Sequence, residues 1–185
     1  MEKSHILEVL KEVKKALHDG DAIKLKSLSN KTIHAASVEQ EKFSIALAVI
    51  VYSLSKIIER TDYQKYPAWK AFLKQSLINL EKASRFLEKD NITKFKESIM
   101  QIEKLIDNLT GNFKIHVQQV FEKARINKAS RIYEHGISME KTAELLGITI
   151  FELAEYAGKT GISDIDLSIT LPIEKRIKYI TDIFK

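Results

Sequence analysis

Apolar residues recur at helical spacing along almost the whole chain. Between Glu2 and His18, Ile6, Leu7, Val9, Leu10, Val13 and Leu17 alternate with lysines, which predicts an amphipathic helix closed by Gly20. Asp21 stands where it can cap a second helix running to about Ala36. Ser37 with Gln40 has the form of a capping box and predicts a third helix through Phe43, Ile45, Leu47 and Val51 to Arg60. That helix is apolar around most of its circumference from Ile45 to Ile50, so it is expected to be the most buried. Asp62 to Tyr66 reads as a connection, with Pro67 at a first helical position. Trp69, Phe72, Leu73, Leu77, Leu80 and Phe86 mark the next stripe. Asp90 and Asn91 interrupt it, and Ile92, Phe95, Ile99, Ile102, Leu105, Ile106 and Leu109 mark another.

These stripes predict an all-α protein. Residues 1–110 form an N-terminal helical bundle suited to dimerisation or partner binding, and residues 111–185 form a helix-turn-helix-like unit with a C-terminal arm and helix. The boundary is placed near Gly111 because the pattern changes there. A long helix through Phe113, Val117, Val120, Phe121 and Ile132 leads to short elements separated by Gly136, Gly147, Gly158 and Gly161. The long helix has inward residues enough to serve both units. Ser163 to Thr170 reads as an extended arm. Pro172 then opens a short helix with Ile173, Ile177, Ile180 and Phe184 on one side and Lys175, Arg176 and Lys178 on the other, expected to dock on the body or on a second subunit.

Composition narrows the class more than the function. With 44% hydrophobic residues, 6 Gly and 2 Pro in 185 positions, the chain can build a core and has few turn formers. It has no cysteine, which excludes disulfides, zinc–thiolate sites and a cysteine nucleophile. The net charge of +5 is compatible with nucleic acid without requiring it. The longest apolar run, Ile45 to Tyr52, is too short for a bilayer, which needs ~20 residues. The N-terminus lacks a secretory pattern, so a cytoplasmic protein is expected. Abundant Ile, Lys and Glu together with the absence of Cys suggest a thermophilic source.

One stretch carries a specific signal. Ser138 to Gly158 has the spacing of a helix-turn-helix: Ala143 as the small residue where two helices touch, Gly147 four positions later for a turn of positive φ, and Ile148 beneath it. Thr149 and Glu152 form a capping box for the second helix, and Leu153 and Tyr156 face the first. In such motifs the second helix reads base edges, which nominates Thr149 and Ile150. Lys128, Arg131 and Lys141 are the expected phosphate contacts, with Lys128, Arg131 and His135 on one helical stripe. Against DNA stands the sign of the charge, because Ser138 to Gly158 holds Lys141 against Glu140, Glu144, Glu152 and Glu155. Exposed Ile150, Phe151 and Ala154 would suit a protein partner instead.

The string from Arg131 to Ile162 resembles the small antitoxin-like helix-turn-helix proteins of archaea and bacteria. Tyr133, Glu134, Gly136, Ser138, Ala143, Glu144, Leu145, Gly147, Glu152, Gly161 and Ile162 carry the resemblance. It implies a transcription-regulator or antitoxin-type role beside a nuclease partner. The leading expectation is a regulator of double-stranded DNA whose N-terminal bundle binds a protein partner or forms a homodimer, and the runner-up is a protein–protein adaptor. The large helical N-terminal region departs from that family.

Other chemistry is thin. Gly158-Lys159-Thr160 lacks the upstream glycine of a phosphate-binding loop, since Leu153 occupies that position. Asn30 and His34, beside Ser29 and Thr32, faintly resemble the Arg-x-x-x-x-His site of helical HEPN ribonucleases. The arginine is missing, and a hydrogen-bonded packing histidine is the competing reading. The five histidines show no metal-ligand spacing. No catalytic residue, metal or cofactor is therefore expected, and the expected class is non-enzymatic.

Overall fold

The structure, a computed structural model, describes residues 3–39, 42–134 and 136–160. Gly161 and the expected C-terminal arm and helix lie outside these residues, as does His135. The described residues form eight α-helices and no strand, so the fold is all-α. They are α1 (Lys3–Asp19), α2 (Ala22–Glu39), α3 (Lys42–Glu59), α4 (Trp69–Glu88), α5 (Ile92–Lys104), α6 (Gly111–Glu134), α7 (Met139–Leu146) and α8 (Ile150–Thr160). Short 3-10 turns at Thr61–Lys65 and Leu105–Asn108 join α3 to α4 and α5 to α6.

Local chemistry sets the helix ends. Gly20 takes a φ of +70°, and Asp21 Oδ1 accepts the Lys24 N–H at 2.8 Å. The α4–α5 hairpin turns through Asp90, at a φ of +56°, and Asn91 Oδ1 caps α5 by accepting the Lys94 N–H at 3.0 Å. Aspartate and asparagine tolerate and cap such a bend better than most residues.

Three expected boundaries shift. Ser37 lies inside α2, which runs on to Glu39, because Ala35 and Ala36 favour continuation and a cap signal is only local. Pro67 sits in a turn two residues before α4, closed by the Trp69 N–H on the Tyr66 carbonyl at 3.0 Å, and a fixed φ suits a turn as well as a first helical turn. Gly158 lies within α8. One glycine costs a helix about 1 kcal/mol, too little to stop one anchored by buried Leu153 and Ala157.

Two apolar clusters form the core. The first joins α1 through α5 around Leu10, Val51, Leu54, Ile57, Leu80 and Ile102, and the first half of α6 completes it with Phe113, Val117, Val120 and Phe121. Phe113 is ringed by aromatic partners. Tyr66 stacks on it at 5.0 Å between centroids, and Trp69 and Phe72 meet it edge-on at 6.3 and 6.1 Å. The second cluster joins Ile33, Ile45, Ala48 and Val49 of α2 and α3 to Ala124, Ala129 and Ile132 of α6, and to Leu145, Leu146 and Leu153 of α7 and α8. α3 is buried as its sequence predicts, and α6 contributes to both clusters.

Candidate functional site

α7 and α8 are joined by a short turn at Gly147. Ser138 Oγ caps α7 by accepting the Lys141 N–H at 3.2 Å. At the other end Gly147 adopts φ 65° and ψ 34° and donates to the Ala143 carbonyl, and Ile148 N donates to the same carbonyl at 3.1 Å. This left-handed residue ends α7 and redirects the chain within three residues. α8 opens on a reciprocal capping box: Thr149 N–H donates to Glu152 Oε2 at 2.8 Å, and Glu152 N–H donates to Thr149 Oγ1 at 3.1 Å. The Thr149 backbone and hydroxyl hold the Glu152 carboxyl below its usual pKa. Ala143 and Leu153 are buried, Ile148 packs against the second cluster, and Tyr156 is half-buried.

The outer face of α8 is apolar with an acidic rim. Phe151 is 86% exposed and Ile150 43%, with Ala154 open beside them. Glu152 and Glu155 border this face. The one basic residue of α8, Lys159, is ion-paired with Glu155. Thr149, expected nearest the bases, commits its hydroxyl and amide to Glu152. Lys141 pairs with Glu144 at 2.9 Å.

The basic residues of α6 differ in placement. Arg125 is tied to Glu103 of α5 and to Glu122, and Lys114 Nζ donates to the Asp107 carbonyl at 3.3 Å. Arg131 is exposed. Lys128 is not: its exposure is 0%. This corrects the expectation of Lys128 as a surface phosphate contact, because the side chain continues the inward stripe of Val117, Phe121, Ala124 and Ile132. Its Nζ donates to Asn30 Oδ1 at 2.8 Å and stands 4.2 Å from the Tyr52 ring centroid. Burial, reinforced by the like charges of Arg131 and Lys26, lowers its pKa to about 7.

This buried amine is the functional candidate that charge counting alone does not find. The signal was present, since Lys128 shares the register of Ala124 and Ile132 as well as that of Arg131. Around Asn30, Ser29 Oγ donates to the Ala48 carbonyl at 2.7 Å and Thr32 Oγ1 to the Leu28 carbonyl at 2.9 Å, so both hydroxyls serve packing. His34 is exposed. No group of three or more metal-ligating side chains occurs among the described residues, and no helix among them is long and apolar enough to cross a membrane.

No known family model matches this chain, and no curated protein or solved structure is significantly similar to it.

Proposed function

We propose that the chain is a non-enzymatic regulatory protein whose α7–α8 unit has a helix-turn-helix shape and uses it to bind another protein. The observation that carries this reading is the 86% exposure of Phe151 at the outward side of the helix that such motifs present to a target. Glu152 and Glu155 beside it would repel a phosphate backbone. They would attract an apolar partner segment flanked by lysine or arginine. An aromatic anchor inside a charged rim is the usual anatomy of a binding hot spot.

A second reading, a DNA-binding regulator of antitoxin-like type, is favoured by the turn geometry at Gly147 and by exposed Arg131 next to the unit. Arg131 and Lys141 would contact phosphates, with Thr149 and Ile150 nearest the bases. The two readings separate in one comparison of full-length variants in their source cells. Under the protein reading, Phe151→Glu removes a stoichiometric co-purifying protein, nuclease treatment does not, and Arg131→Ala retains it. Duplex binding that weakens steeply with salt, is lost in Arg131→Ala and survives Phe151→Glu would overturn it in favour of DNA.

A further inference from the structure

A groove of about 640 Å³ opens between α1 and α4. Leu77 and Ile78 of α4, both half-buried, give it an apolar stretch, and Lys14, Lys15, Lys82 and Arg85 stand around them. One carboxylate lines it, Glu81, and two of the four cations share it: Lys14 Nζ lies 2.6 Å from Oε2 and Arg85 Nε 3.2 Å from Oε1. Lys82 has no ion pair among the described residues. Lys15 acts on Glu12, but that carboxylate is bonded to Lys24 at 2.7 Å. The groove therefore suits a surface that is apolar at its centre and acidic at its edge. Nucleic acid fits it less well, because Glu81 opposes a phosphate backbone and no Phe, Tyr or Trp lines the groove for bases to stack on.

The chain carries such a surface itself. On the outer face of α8, exposed Ile150 and Phe151 stand beside Glu152 and Glu155. Glu155 is paired with Lys159 of its own helix, an exposed pair four residues apart and weak enough to exchange partners. Leu153 anchors α8 in the second cluster, whereas α1 and α4 build the first. Phe151 is exposed, so the chain leaves its own groove unfilled by α8 and one copy offers both surfaces at once. We propose that the outer face of α8 docks into the α1–α4 groove of a second copy of this chain, with Ile150 and Phe151 on Leu77 and Ile78, and Glu152 and Glu155 against Lys15, Lys82 and Arg85. This rests on the reading of α8 as a protein-binding face and names the molecule it meets. Two unlike surfaces make the contact. Made twice across a two-fold axis it closes a dimer, and made once per copy it builds a ring or an open chain.

Sedimentation velocity of the full chain tests it. The mass is expected to rise above the 21.2 kDa of one copy as concentration is raised. Lys82→Glu and Phe151→Glu, both at exposed positions, should each weaken that association by at least about tenfold. The decisive sample is their equimolar mixture, because the Lys82→Glu copy keeps its α8 and the Phe151→Glu copy keeps its groove. The mixture should form a one-to-one pair that neither variant forms alone, which also shows both variants folded. Adding Glu155→Lys to Lys82→Glu in one chain should recover part of the self-association. A wild type that stays monomeric at every concentration, or a mixture that associates no better than its components, would overturn the inference. Duplex binding lost in Lys82→Glu, with no association of copies, would overturn it in favour of nucleic acid. In either case the reading of α8 survives if Phe151→Glu removes a co-purifying protein of different sequence from the source cells, and falls only if no protein is lost.

Discussion

The buried Lys128 makes stability depend on pH in an unusual direction. Its folded pKa of about 7 lies below the value of about 10.4 expected in the unfolded chain. Between those values the unfolded state binds the extra proton, so stability rises with pH from about 7 to about 10. Below pH 7 the full cost of charging a buried amine is present. Lys128→Met keeps the length of the side chain and removes that cost, and its former partner Asn30 is exposed. The variant is therefore expected to be more stable than wild type at pH 6 by roughly 5 kcal/mol at most. The difference should shrink toward pH 10. Urea unfolding of both proteins across that range checks this, and parallel pH profiles would refute it.

At the scale of elements, the turn between α7 and α8 depends on one backbone conformation. Gly147 sits at φ 65° with nothing within 4 Å of where a Cβ would be, so the cost of a side chain there is conformational and not steric crowding. Gly147→Ala should destabilise by about 1–2 kcal/mol, and Gly147→Asn by less, since asparagine tolerates the left-handed region better. Equal losses in denaturant midpoint for the two variants would contradict that account. The helices themselves were largely legible, because amphipathic stripes such as Ile6 to Leu17 and Ile92 to Ile106 have no competing interpretation. The α7–α8 turn was legible for the same reason: its glycine, serine and threonine act on their immediate neighbours. Ser37, Pro67 and Gly158 misplace boundaries because each carries a local preference that continuing helix or turn geometry overrides.

At the scale of the molecule, α6 connects everything. Its first half completes the bundle core, and its second half joins α7 and α8 to the adjoining parts of α2 and α3. Sequence periodicity shows that α6 has an inward face but not what that face meets. A lysine on the face therefore reads as solvated until its neighbours are known. Lys128 of α6 meets Asn30 of α2 and Tyr52 of α3, both far from it in sequence, which is why no motif announces the contact. The outward face of α8 was the easier half, since Ile150 and Phe151 lie between the two members of a capping box, Thr149 and Glu152, at the start of the helix. The central functional claim is that this face meets protein. Placing a photo-crosslinking residue at position 151 of the full chain in its source cells tests that claim most directly. The account predicts a discrete protein adduct that Glu152→Lys with Glu155→Lys diminishes. Adducts to DNA, with no protein adduct at position 151, would contradict it.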